Sequence, residues 1–490
     1  MANAATASPL DRFLRLFADV RAGEGLTALL LSTNVFLLLA CYYILKSIRD
    51  GLILAGSGAE IKSYTSAAQV LVLAAAVPLY AKLADRVPRR RLINIVTMVF
   101  AASFAGFAIP VLLGFNIGVV FFVWVAVFGV MIIAQFWSFA NDLYNKEEGE
   151  RLFPLVAFGQ SLGGVVGATY TSMVVGSLGI APLLVIAAAI LAAQVVITNY
   201  VDARERRVKE THVPVDQSSA QLTATGTIPL AEVQRLLDRF SGEPSEPAAT
   251  APGETEEPPP PASVEKKPGT SGAFALVFRS RYLLMIGILM LLLNFVNTTG
   301  GYILDKVVEV AAADAIASGA AGGMDEAAFI SAYMAQFYAV VNLVALLVQL
   351  FVVSRVVKYL GVAVGLMILP MISLGAYSLI AFYPVLTYIR WAKTAENATD
   401  YSLNNTVRNI LFLPTTREQK YKAKQVIDSF FVRVGDTLSA TLVLVGTTFL
   451  AFNLDVFAKV NLAAVVLWLI LAFMIGKEYR KQVAANELTE

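Results

Sequence analysis

The sequence predicts an all-α membrane protein of twelve transmembrane helices in two six-helix pseudo-repeats. Three observations carry that prediction. Of the 490 residues, 57% are hydrophobic and only 15% charged, against about 25% charge in a soluble domain. Apolar stretches of about 20 residues, the length that crosses a bilayer, recur six times on each side of a polar linker. Short sequences near the ends of corresponding spans also recur between the halves at a nearly constant offset.

The spans run at 26–46, 61–83, 92–113, 117–140, 153–177 and 180–201, then at 281–303, 328–353, 360–382, 386–407, 425–450 and 456–476. Ahead of them, residues 1–25 form an interfacial segment, because LDRFLRLFADVR (10–21) alternates apolar and charged residues at helical spacing. No cleavable signal peptide precedes it, and Asp11 and Asp19 argue against an organelle transit peptide. The N-terminal bundle covers 26–201, a linker 202–272, the C-terminal bundle 273–476 and a tail 477–490. The linker passes through Pro258–Pro261 among Glu, Thr and Ser, cannot bury a core, and is expected to be disordered. Within it, IPLAEVQRLLDRF (228–240) has one apolar face and reads as a short helix.

Basic residues of short loops set orientation. Lys82, Arg86, Arg89, Arg90 and Arg91 follow span 2, and Lys146 and Arg151 follow span 4. Arg355 and Lys358 follow span 8, and Arg417, Lys420, Lys422 and Lys424 follow span 10, whereas the connections after spans 3, 5 and 9 hold none. Both termini are therefore expected in the cytoplasm. The same parity requires the polar stretch 386–407 to be a true span.

The repeat appears at Tyr43-Ile44-Leu45-Lys46, matched by Tyr302-Ile303-Leu304-Asp305. It appears again at Asn141-Asp142-Leu143-Tyr144, matched by Thr399-Asp400-Tyr401. Parallel six-span repeats build the major facilitator architecture, with the substrate site between the halves near the midplane. LADRVPRRR (83–91), after span 2, resembles the signature loop of that superfamily.

Span 10, RWAKTAENATDYSLNNTVR (390–408), carries the chemistry. At about 100° per residue, Arg390, Lys393, Asn397, Asp400, Asn404 and Arg408 fall within an arc of roughly 80°, with Glu396 at its edge. Arg390, Lys393, Glu396 and Asp400 facing lipid would cost roughly 10–14 kcal/mol, at about 2.5–3.5 each. They must therefore face protein or a watery cavity. Lys46 follows an unbroken apolar run and either snorkels or points inward as a cation for an anionic substrate. Arg49, Asp50 and Glu60 read as interfacial charges. Asn294, Asn297 and Thr298 of span 7 and Gln336, Asn342 and Gln349 of span 8 read as helix–helix glue.

In span 11, Arg433 and Asp436 either pair along the helix or reach Asp400 or Lys393 across to span 10. Glu396 and Asp400 lie on adjoining turns and suit proton coupling, unless Lys393 and Arg433 neutralise them. Gly159, Gly163 and Gly167 of span 5 read as close helix packing, since no strand or Gly-Lys-Ser/Thr makes them a phosphate loop. With Cys41 as the single cysteine and His212 as the single histidine, no intramolecular disulfide, histidine catalysis or histidine metal site is expected. No nucleophile–base set suggests an enzyme, no cofactor is implied and no nucleic-acid partner is expected.

The runs Gly58-Ala59-Glu60-Ile61, QFWSFANDLY (135–144), ERLFPL (150–155) and KYKAKQVID (420–428) resemble the ATP:ADP antiporter family of nucleotide transporters. The resemblance covers about 26–200 and 281–476 and implies exchange of nucleoside phosphates by alternating access. It places Lys46 at the family's lysine near the end of span 1, and implies the inner (plasma) membrane of a bacterium. Two positions depart: Val125 stands where the family has an acidic residue, and Asp436 where it has a lysine after the glycine of span 11.

The expectation is a secondary transporter of a small anionic solute, with a nucleotide as the implied substrate. Lys46, Arg390, Lys393 and Arg433 are expected to contact the anion, Asn397, Asp400 and Asn404 to orient it, and Glu396 and Asp436 to couple conformation to charge. The alternatives are a proton-coupled carrier of another solute in the same fold, and a non-transporting scaffold or sensor acting through the linker.

Overall fold

The computed structural model describes residues 8–15, 19–21, 23–84, 86–144, 146–212, 272–416 and 418–487. Among these the chain is helical, with no strand, because inside lipid every backbone N–H and C=O must find its partner within the protein. Ten helices are long and apolar enough to cross a membrane. One, Gly25–Ala84, has 60 residues, about 90 Å at 1.5 Å per residue, three times the thickness of the hydrocarbon core. It is spans 1 and 2, joined at Gly58, whose φ of 85° and ψ of 170° break the helix. Glycine takes that conformation readily. The polar helix, Leu386–Thr399 continued through Asn405–Ile410, is too charged to count among the ten. Among the described residues the spans are therefore twelve.

Spans 3 to 6 are Arg89–Leu112, Gly118–Leu143, Lys146–Leu178 and Ile180–His212. Span 6 runs on past its predicted end at 201, to His212. Residues 203–269 separate as a unit of their own. The predicted helix at 228–240 lies outside the described residues, as does the linker from 213 to 271.

The second half opens with a short helix, Ala273–Arg279, and span 7, Arg281–Ala317, reaches well beyond its predicted end at 303. That extension carries Asp305, Lys306 and Glu309, charges that ended the apolar window but find partners in the first half. Spans 8 and 9 are Glu326–Phe351 and Gly361–Phe382, and span 12 is Leu454–Glu487. Span 11 runs from Lys424 to Thr448 through a wide, π-helical turn at Ile427–Phe431, and span 10 contains another at Asp400–Asn404.

The N-terminal segment, expected at the membrane interface, is described at residues 8–15, 19–21 and 23–25. It forms one short helix, Pro9–Leu14, and the Asp11 carboxylate accepts the backbone N–H groups of Gly23 (3.2 Å) and Gly25 (3.0 Å), which open span 1. Leu14 and Val20 pack against Ala28, Leu152 and Leu155, and Arg151 holds Glu24 through two nitrogens at 3.0 and 2.8 Å. The segment is thus clamped to the starts of spans 1 and 5.

Small residues set the closest approaches. A Cβ on Gly159, Gly163 or Gly167 would lie 2.2–2.6 Å from the backbone oxygens of Ser32, Phe36 and Ala40. Span 5 therefore lies directly on span 1, as the glycine spacing predicts. Between the halves, Gly51 of span 1 meets span 8, where a Cβ would come 2.4 Å from the Ala327 carbonyl. The signature-like loop ties its own half together, with Arg89 pairing with Asp142 and Asp202 and Arg90 donating to Asn199 at 2.8 Å.

Candidate functional site

Spans 1, 2, 7, 8 and 10 enclose a polar cavity of about 190 Å³ between the halves. Its wall carries the charges of Lys46, Lys62, Lys393 and Asp305, the polar groups of Asn297, Thr298 and Asn397, and the rings of Tyr302, Phe337, Tyr338 and Tyr401. A second cavity of about 270 Å³ lies between spans 1, 5, 8 and 10 and shares Tyr401 with the first. Tyr401 is 44% exposed in mid-span. It faces open space inside the bundle.

The three lysines differ in their partners. Lys62 Nζ lies 2.7 Å from Asp305 and 3.2 Å from Asp50. Lys393 is 2% exposed; its ammonium lies 2.6 Å from Glu396 and donates to the Asn297 side-chain oxygen at 3.0 Å. Lys46 makes no ion pair or hydrogen bond through its side chain among the described residues. Its Nζ instead sits 4.0 Å from the Tyr338 ring centroid and 5.2 Å from that of Tyr43, a placement that favours a cation electrostatically and leaves its three N–H donors unused.

A clasp across the halves closes this cavity toward Gly58. Asp50 is fully buried; it pairs with Arg49 at 2.9 Å and accepts the Tyr338 hydroxyl. Glu60 accepts from Tyr302 (3.0 Å) and pairs with Lys306 (3.0 Å), and Glu309 accepts the Ala59 N–H at 2.8 Å. The Tyr64 hydroxyl lies 3.3 Å from that of Thr447. These contacts correct the reading of Arg49, Asp50 and Glu60 as interfacial charges: each has a partner inside the protein.

The residues that match the Major Facilitator Superfamily run from 25 to 411, more than three quarters of the chain, from span 1 through span 10. The chain belongs to the Major Facilitator Superfamily. It is a secondary transporter of that type rather than an enzyme. No curated protein matches it in sequence. Among solved structures it is similar in fold to a POT family transporter in complex with 5-aminolevulinic acid, at TM-score 0.57 and 12% identity over 93% of this chain and 96% of that one. It is likewise similar to the nucleoside transporter NupG, at TM-score 0.53 and 14% identity over 92% and 98%.

Within this facilitator fold the predicted site residues separate. Lys46, Lys393 and Asn397 line the central cavity. Glu396 is buried behind it, accepting from Ser373 (3.2 Å) and Tyr377 (3.1 Å). Asp400 accepts the Asn404 amide at 2.7 Å, and Asn404 is 1% exposed. Arg390 lies toward the far end of span 10, its guanidinium 5.3 Å from the Tyr333 ring centroid, with no ion pair among the described residues. Arg433 pairs with Asp436 of its own helix at 3.2 Å, and Asp436 accepts the Thr298 hydroxyl at 2.7 Å. Of the two arrangements left open for Arg433, the pair along its own helix forms and the link to Asp400 or Lys393 does not, and Lys393 rather than Arg433 neutralises Glu396.

The sequence reading missed Lys62, Asp305, Tyr338 and Tyr401. Asp305 was visible only as the repeat partner of Lys46. The expected glue divides too: Asn342 accepts the Tyr43 hydroxyl across the halves at 2.9 Å, but Gln349 faces the second cavity. Among the described residues no three His, Cys, Asp or Glu side chains meet as a metal site.

Proposed function

We propose that the protein carries an organic anion by alternating access and that Lys46 holds the anionic group. The observation that carries this reading is the difference among the cavity lysines. Lys62 is held by two carboxylates and Lys393 by one, whereas Lys46 presents its ammonium to the cavity with only aromatic faces beside it. An incoming anion therefore gains Lys46 without displacing a carboxylate. Tyr338, Tyr401 and Phe337 offer flat surfaces for an unsaturated ring.

A nucleoside phosphate, the class implied by the resemblance to nucleotide exchangers, combines those two features. Lys46 is the one cavity lysine without a carboxylate partner among the described residues, so a solute of low negative charge is favoured over a fully ionised triphosphate. Purified protein is screened by thermal shift against nucleotides and other organic anions, because a ligand of the folded state raises its stability. The expected result is stabilisation by an aromatic anion in the native protein and none in Lys46→Gln. Equal binding and uptake by a correctly inserted Lys46→Gln overturns the assignment.

Proton-coupled uptake is the second reading, favoured by Asp305, which lines the cavity and also belongs to the clasp. Uptake driven by a pH gradient without counter-solute selects it over exchange.

A further inference from the structure

A third cavity, of about 260 Å³, lies wholly within the second half, between spans 7, 10 and 11. It opens toward the end of the bundle that bears the 411–424 connection, away from Gly58 and the clasp. Span 7 contributes Met290 and Asn294; span 10 contributes Asn405, Arg408, Asn409 and Phe412; span 11 contributes Lys424, Asp428 and Val432. The wide turns at Asp400–Asn404 and Ile427–Phe431 flank it, and such turns re-aim side chains and concentrate at functional sites.

We propose that this crevice is a second binding site, for a phosphate-type oxyanion. Its donors outnumber its acceptors. Arg408 has no carboxylate partner among the described residues; one nitrogen donates to the Asn405 side-chain oxygen at 3.3 Å and another lies 3.6 Å from the Met290 sulfur. That contact to Asn405 leaves most of the guanidinium fork unspent, and the fork matches the paired oxygens of a phosphate. The one acid in the wall, Asp428, is engaged by Lys424 at 2.7 Å. Within the wall two cations thus face one carboxylate; Asp400, outside the wall, is within range of the Arg408 charge and accepts the Asn404 amide at 2.7 Å. The Asn409 amide donates to the Asn405 carbonyl at 2.9 Å and the Asn294 amide to the Met290 carbonyl at 2.8 Å, and each –NH₂ keeps a second hydrogen.

The space, about 260 Å³, holds several waters at about 30 Å³ each. A phosphate group fits, supplied either by a soluble anion or by the headgroup of an anionic phospholipid at the bilayer surface. The proposal is independent of the identity of the solute in the central cavity.

The test is calorimetric titration of the full-length protein in neutral detergent with inorganic phosphate, at constant ionic strength. Lys46→Gln removes the central cation, so that binding which survives in it belongs to the crevice. Phosphate binds Lys46→Gln. Adding Arg408→Gln weakens it about tenfold or more, as expected for one charge-assisted contact, and Arg408→Lys restores only part because the fork is lost. Lys424→Gln serves as the second variant should Arg408→Gln misfold. Reconstitution into phosphatidylglycerol or phosphatidylcholine bilayers gives the other arm. Stabilisation by phosphatidylglycerol that depends on Arg408, without phosphate binding in detergent, assigns the crevice to a headgroup. Phosphate binding without lipid dependence assigns it to a soluble anion. Neither effect, in variants that fold, overturns the proposal.

Discussion

Replacing Lys62 by methionine keeps the side chain's stem and removes its charge. Lys62 bridges Asp50 at 3.2 Å and Asp305 at 2.7 Å, and the charged ends of this group are at most 11% exposed. Asp50 keeps Arg49 and the Tyr338 hydroxyl. Asp305 keeps no ion pair or side-chain hydrogen bond among the described residues, and orphaning one member of a buried pair costs about 3–5 kcal/mol. Parting the halves at the Gly58 end hydrates Asp305 and relieves that cost, so Lys62→Met favours the parted state by about two to nearly four orders of magnitude.

The assay is the labelling rate of Ser66→Cys, on the cavity wall, by a membrane-impermeant maleimide added from the Gly58 side; Cys41 is fully buried and serves as the silent control. Lys62→Met should speed labelling about a hundredfold or more. Lys62→Met with Asp305→Asn should return it toward the native rate, because no buried charge is then left unpaired. Unchanged labelling in correctly inserted Lys62→Met, or a double variant as fast as the single, refutes the reasoning.

The Lys393–Glu396 pair is just as buried, so Lys393→Ala should lower stability by about 3–5 kcal/mol as well as abolish uptake. Lys393→Met with Glu396→Gln should recover most of the stability, and equal melting temperatures for the two proteins in one detergent count against this account. At the N-terminus, burial works against ionised Asp11, but hydrogen bonds from Ser8, Gly23 and Gly25 outweigh it and hold the carboxyl below its ordinary value. A depressed carboxyl stabilises the folded clamp above the ordinary value of about 3.9 and loses that contribution as pH falls through the lower, folded value. Limited proteolysis within residues 8–25 should therefore rise in the native protein only below about pH 4 and be raised at every pH in Asp11→Asn; a native protein cleaved no faster well below pH 4 than at pH 7 contradicts it.

The spans were legible because hydrocarbon length and backbone satisfaction leave their mark on every window of 20 residues. Even the polar span was recovered, from loop-charge parity rather than from its own composition. What local pattern could not supply was pairing between distant helices. Asp50, Glu60 and Lys62 stand at a span end and look like surface charge until span 7, about 240 residues on, brings Asp305 and Lys306 against them. The stripe on span 10 failed differently. A uniform 100° step put Asn404 on the polar face, but the wide turn at Asp400–Asn404 inserts the equivalent of one residue and rotates the remainder of the helix by roughly 100°. Asn404 is turned into the packing, and Asn405 and Asn409 take the polar face beside Arg408. No periodicity rule anticipates such an insertion.

The clasp also has an electrical consequence. Together with Lys46, its charged groups number four and four: Lys46, Arg49, Lys62 and Lys306 against Asp50, Glu60, Asp305 and Glu309. A membrane potential does work of about 2.3 kcal/mol per 100 mV on each elementary charge that crosses it, and this set offers it no net charge to move. The clasp therefore adds no voltage dependence of its own to reorientation. On the proposal that Lys46 binds an anion, the balance of this set shifts by the charge of the cargo.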